Sequence, residues 1–137
     1  MKPDLLYVPT SKSLSSSPPL PGPNTVDHYK CYKAKVTSGT PKFPRGIQVT
    51  VTDQFRLTLG TFDVVKPKHL CTPVSVNNGV VYNQDVHLVC YGAKPARGQA
   101  KHAPRSPVYV HNEFGTDTLA TVKENELCIP SLKTVLP

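Results

Sequence analysis

The chain repeats itself, and the repeat carries its cysteines. His28-Tyr29-Lys30-Cys31-Tyr32-Lys33-Ala34-Lys35 matches His87-Leu88-Val89-Cys90-Tyr91-Gly92-Ala93-Lys94 at an offset of 59. The same offset carries Val49, Val51, Asp53, Gln54 and Phe55 onto Val108, Val110, Asn112, Glu113 and Phe114. Further along it falls to 57, so that Lys66, Leu70, Cys71 and Pro73 meet Lys123, Leu127, Cys128 and Pro130. Matches sustained at one offset mark a duplicated structural unit. The step implies a two-residue deletion in the turn between the two blocks.

Each unit reads as strands. Gln48-Val49-Thr50-Val51-Thr52 and Pro107-Val108-Tyr109-Val110-His111 alternate apolar with polar, the period of a half-buried strand. No stretch shows helical periodicity, and 15 Pro and 8 Gly in 137 residues exclude long helices. With no Trp and one Met, the core must come from Val, Leu, Ile, Phe and Tyr, which favour strands. A unit opens with a strand that places a histidine outward and a cysteine inward. A Pro/Gly-rich loop follows, then the Val strand ending at Asp/Asn-Gln/Glu-Phe. Next comes an apolar strand (Leu57 to Val65; Thr118 to Val122), and a Leu-Cys-x-Pro strand closes the unit. Asn77-Asn78-Gly79 is a tight-turn signal where the half-units 26–78 and 79–137 join. Two such meanders related by a pseudo-twofold, with apolar faces packed together, predict an all-β sandwich or small barrel over 26–137.

A partial third copy starts the chain. Lys2-Pro3-Asp4-Leu5-Leu6-Tyr7-Val8-Pro9 resembles Lys66-Pro67-Lys68-His69-Leu70-Cys71-Thr72-Pro73. It also matches the end of the second unit, with Leu6, Pro9 and Lys12 over Leu127, Pro130 and Lys133. Tyr7 stands where the cysteine would be. Segment 1–12 therefore reads as a closing strand without its unit, and the Ser/Pro-rich segment 13–25 as a semi-rigid extended spacer. An arm of this kind (Leu5, Leu6, Tyr7, Val8) can add to the sheet edge of a neighbour. Heterologous strand addition builds head-to-tail fibres, so copies of this same chain are the expected partner.

Four cysteines allow three pairings. The duplication favours Cys31 with Cys71 and Cys90 with Cys128, one bridge per unit; a pairing swapped between units respects the symmetry equally. A bridge over a loop of this length stabilises by about 4 kcal/mol in the chain-entropy model, which matters for a core of modest size. Zinc sites use closely spaced cysteines, and none are close here. His28-x-x-Cys31 and His87-x-x-Cys90 have a ligand-like interval, but residues three apart on a strand point to opposite faces. The reading is disulfides, no metal and no cofactor. Disulfides imply an oxidising compartment, hence an exported protein.

Little else carries chemistry. There is no nucleophile elbow, paired-histidine metalloprotease motif, P-loop or dinucleotide fingerprint. Asp53 is matched by Asn112, so its acid is not kept between the halves; a turn cap is the expected role. His28 and His87 are duplicated, which suits a structural part, and His69, His102 and His111 have no duplicate. The chain is therefore expected not to be an enzyme. The net charge of +7 suits anionic partners. The basic side chains of two loops, Lys42 and Arg45 in one and Arg97, Lys101 and Arg105 in the other, would meet such a ligand. Aromatic platforms are limited to tyrosines, of which Tyr32 and Tyr91 are duplicated beside cysteines and read as core. Export and weak aromatic interleaving argue against nucleic acid. No apolar run approaches the length of a membrane helix, and the N-terminus lacks the apolar stretch of a signal peptide.

The pattern His-x-x-Cys-Tyr-x-x-Lys, Val-x-Val-x-Asp-Gln-Phe, Leu-Cys-x-Pro resembles a repeat domain of exported bacterial surface and secreted proteins. Its carriers are His28, Cys31, Tyr32, Lys35, Asp53, Gln54, Phe55, Leu70, Cys71 and Pro73 with their counterparts, over residues 27–133. The resemblance implies tandem modules joined by Pro-rich linkers and brings no catalytic residues. Two expectations result: an extracellular structural subunit assembled through its arm, or an adhesive module that presents basic loops to a glycan or protein.

Overall fold

A computed structural model describes residues 3–22, 25–55 and 59–132. Nine strands follow in order: β1 (Pro3–Tyr7), β2 (Ser11–Ser13), β3 (His28–Lys33), β4 (Gln48–Val51), β5 (Gly60–Val74), β6 (Val86–Pro95), β7 (Val108–Asn112), β8 (Gly115–Leu119) and β9 (Glu126–Leu132). They form two antiparallel sheets in a sandwich-like arrangement. The larger runs β1-β3-β5-β6-β9, with β4 also paired to β5; the smaller runs β2-β7-β8.

The all-β, disulfide-stapled expectation holds, and the barrel alternative does not, because among the described residues the larger sheet keeps two edges. One is β1, the other β9. The half-units also do not face each other as separate layers. They lie side by side in the larger sheet, joined through β5 and β6, with Cys71 opposite Leu88 and Leu70 opposite Val89. In the first unit the two expected strands are one, since β5 runs unbroken through Val65-Lys66-Pro67. The expected start at Leu57 lies outside the described residues. In the second unit the same path splits into β8 and β9, and the β7–β8 hairpin leaves for the smaller sheet.

The local chemistry repeats faithfully. Val49 pairs with Phe62 and Val51 with Gly60; Val108 pairs with Leu119 and Val110 with Asp117. These pairings fix the offset at 59 for the Val strand and 57 for the next, so the two-residue step falls in the turn between them. Asp53 Oδ1 accepts from the Phe55 N–H at 2.8 Å, and Asn112 Oδ1 from the Phe114 N–H at 2.9 Å. Both are side chains closing a turn on their own backbone, which gives Asp53 the capping part expected of it. At the junction, Asn77 and Asn78 adopt φ of 52° and 62°, and Gly79 N–H donates to Val76 O at 2.9 Å. That is the left-handed pair of a tight hairpin-type turn. The Asp27 carboxylate accepts from the Tyr82 and Asn83 N–H groups at 2.7 and 3.0 Å, tying the start of the first unit to the junction.

The core is a ladder of sulfur. Cys31 pairs with Cys71 and Cys90 with Cys128, the one-bridge-per-unit pattern, each between directly opposed residues of neighbouring strands. Cys31, Cys71 and Cys90 are fully buried, and the two bridges meet where Cys71 Sγ lies 3.8 Å from Cys90 Sγ. Tyr7, Tyr29 and Leu88 pack around them. A smaller group, Phe62, Val64, Ala96 and Val108, is buried elsewhere. So few buried apolar side chains make covalent ties important. Disulfides persist where the surroundings are oxidising, outside the cytoplasm. No helix among the described residues is long and apolar enough to cross a membrane.

Candidate functional site

The arm is the part of the chain whose sequence promises more than its own fold requires. The structure places Leu5, Leu6 and Tyr7 in β1 and Val8 just after it, paired antiparallel to β3 of the same chain. Tyr7 lies opposite Tyr29, Leu6 opposite Lys30, Leu5 opposite Cys31 and Pro3 opposite Tyr32, with a register shift between Pro3 and Leu5. Across the unit junction, Cys71 lies opposite Leu88, Leu70 opposite Val89, His69 opposite Cys90 and Pro67 opposite Tyr91, with a shift between Pro67 and His69. Every pair maps onto its counterpart, and so does the irregularity. β1 thus occupies, against the first unit, the place that the closing strand of one unit takes against the opening strand of the next.

Tyr7 shows what the missing cysteine is exchanged for. Its ring packs on the sulfur ladder, with the hydroxyl 3.8 Å from Cys128 Sγ and 4.0 Å from Cys90 Sγ. Burial, with the Glu126 charge as a lesser cause, raises the Tyr7 pKa, so the phenol stays neutral. The arm continues onto the second unit. β2 pairs with β7, Ser11 opposite His111 and Ser13 opposite Tyr109. Asn112 Nδ2 donates to Thr10 Oγ1 at 3.1 Å, and His111 Nδ1 to Pro18 O at 3.0 Å. The Lys12 ammonium stands 4.6 Å over the Phe55 ring. Of the Ser/Pro segment read as a semi-rigid spacer, Ser13 and Pro18 are held against the second unit.

A histidine between two carboxylates latches the arm. His69 Nε2 bonds Asp4 Oδ2 at 2.7 Å, and Nδ1 bonds Glu126 Oε1 at 2.6 Å. Burial alone would lower the His69 pKa. The hydrogen bonds to Asp4 and Glu126, with the charge of both, outweigh it and raise the pKa overall. The doubly donating imidazolium joins arm, β5 and β9. Sequence reasoning set His69 aside as unduplicated. The usable signal was that His69 and Glu126 are equivalent positions at offset 57 filled by complementary partners. A similar tie, between His28 and Glu113, holds β3 to the β7–β8 turn.

Of the basic loop residues, Lys42 and Arg45 line a cleft of about 680 Å³ with Lys33, Lys35, Lys66 and Lys68. Arg97, Lys101 and Arg105 are exposed on the other loop and do not line it. There the Arg105 N–H donates to Thr121 Oγ1 at 2.9 Å, which fixes the loop's backbone. The sequence signal was the spacing Lys66-x-Lys68 within β5, the period of one strand face; Lys33 ends β3 and Lys35 lies beyond it. Among the described residues no three His, Cys, Asp or Glu side chains are grouped to hold a metal ion. No family model, no curated protein and no solved structure matches the chain.

Proposed function

We propose that the chain is a non-catalytic extracellular structural module that assembles head-to-tail, its arm docking on the opening strand of a neighbouring copy. The observation that carries this is the register identity between β1–β3 and β5–β6. An opening strand accepts a closing strand in that register whether it belongs to its own unit pair or to another. Arm contacts made within a chain are the same contacts made between chains. Exchange of an identical element between copies is a low-cost route to assembly, and an exchange that does not close gives a fibre. The Pro-rich spacer between the arm and β3 supplies reach without a competing fold. Among the described residues β9 leaves the far edge open, with Ile129 and Leu132 exposed along it.

The test is negative-stain electron microscopy with light scattering on the non-reduced protein over a concentration series, with and without residues 1–25. Filaments or growing oligomers that require the arm are expected. Monodisperse particles of one chain in both samples at every concentration would remove the assembly reading.

A further inference from the structure

We infer that the basic cleft of the first unit binds an acidic polysaccharide. The cleft lies between the end of β3, the loop 42–45 and the bend of β5. Six cations ring it: Lys33, Lys35, Lys42, Arg45, Lys66 and Lys68. They are six of the chain's 16 Lys and Arg, gathered among twelve lining residues that include no Asp or Glu. Among the described residues none of the six is ion-paired. Like charges held together without counter-charges repel, which works against the fold. A ligand with several negative charges reverses that sign.

The fold does not require this arrangement, as the duplicate shows. At the equivalent positions of the second unit, Lys35, Lys42 and Lys66 keep a lysine, as Lys94, Lys101 and Lys123. There Lys33 is replaced by Gly92, Lys68 by Asn125, Pro67 by Glu124 and His69 by Glu126. Of these positions, Lys123, Glu124, Asn125 and Glu126 line a cleft of about 520 Å³ whose other wall is β4, Asp53 and Phe55 of the first unit, and Lys94 and Lys101 do not line it. The duplicated fold therefore stands with half of these cations, and the full ring of six is a property of the first unit.

Shape and compartment narrow the ligand. The volume suits a few sugar rings, and the cleft is open at the surface. Its floor is half-buried Ala34, Phe43 and Pro67, and Phe43 is fixed by packing on Tyr91 with centroids 5.4 Å apart. Apolar ring faces below and cations around the rim match a sugar with C–H faces and carboxylate or sulfate groups. Disulfides place the protein where such glycans occur.

The experiment is calorimetric titration of the full, non-reduced chain with short alginate oligosaccharides, short sulfated oligosaccharides, neutral dextran and a single-stranded oligonucleotide of matched charge, at low and high salt. Binding to at least one acidic glycan but not to dextran, weakened by salt, is expected; which one binds assigns carboxylate or sulfate. The triple variant Lys42→Gln, Arg45→Gln, Lys66→Gln should weaken it by about tenfold or more. The triple variant Arg97→Gln, Lys101→Gln, Arg105→Gln, with the same loss of charge, should stay within about twofold. All six side chains are exposed, so both variants keep the fold, and an unchanged melting temperature checks this. Equal losses in the two variants would mean net charge alone is responsible and overturn the site. No binding to either acidic glycan at low salt, or tighter binding of the oligonucleotide, would also overturn it. None of these outcomes depends on whether the arm mediates assembly.

Discussion

The two halves of this molecule share a plan and differ in strand continuity, in the charge around one cleft and in what lies along the sheet edge. The first has an unbroken β5, a ring of six cations and an edge covered by β1; the second has a split path, three of those cations and, among the described residues, the open edge of β9. What they keep in common is the cross-strand disulfide, the turn closed by Asp53 or Asn112, and the pairing register. The shared set is what one unit needs to fold. The differences mark positions the fold leaves free, and the Lys-rich cleft and the docked arm are the two largest.

The strongest way to break the comparison is to remove one bridge at a time. Replacing Cys31 and Cys71 by Ala, or Cys90 and Cys128, should each cost about 4 kcal/mol in denaturant unfolding of the non-reduced protein. The first pair should cost more, because both of its sulfurs are fully buried whereas Cys128 is half-buried. Equal losses would mean the second unit depends on its bridge as much as the first. Next in size is Tyr7→Ala, which takes the arm's ring off the sulfur ladder. A loss of about 2–3 kcal/mol is expected from truncating a large part-buried side chain, with Tyr7→Phe nearly neutral. Thermal melts of the two variants separate ring packing from the hydroxyl.

The turns should reveal a smaller asymmetry. Asp53→Ala and Asn112→Ala each lose a side-chain cap, roughly 1 kcal/mol. Asn112→Ala should in addition loosen the arm, because its amide also donates to Thr10. The smallest effect is the pH response of the latch. His69 has a raised pKa in the folded chain, so the contact is fully present below the ordinary histidine value of 6.5 and is lost as pH rises through the raised value. Protection of the β1 amides, taken relative to their intrinsic base-catalysed exchange at each pH, should therefore fall from mildly acidic to alkaline pH, and His69→Gln should flatten that profile.

Much of this was legible in the sequence because duplication gives each position a second reading. The offset of 59, its fall to 57, the bridge pattern and the capping part of Asp53 all rest on one half explaining the other. The arm was recognisable as a closing strand by Leu6, Pro9 and Lys12. Its place was not, since a strand of five residues can pair with any open edge; β3 was selected by burial of Tyr7 on the disulfides. The side-by-side order of the units was hidden for the same reason, because alternation reports a buried face but not which strand lies alongside. The cleft went unread because its lysines come from three separate segments, and only the β3–β5 register, with Lys33 opposite His69, brings them together.

The most direct test of the account is to cut the arm loose in the folded protein. A protease site placed at Ser15–Ser17 allows the full chain to fold first and then be nicked, and native mass spectrometry with an isotope-labelled peptide of residues 3–15 follows. The account predicts that the arm stays bound after cleavage and that the labelled peptide replaces it, since an opening strand accepts any closing strand in register. An arm that leaves on nicking, from a body that stays folded and takes up no peptide, would contradict it.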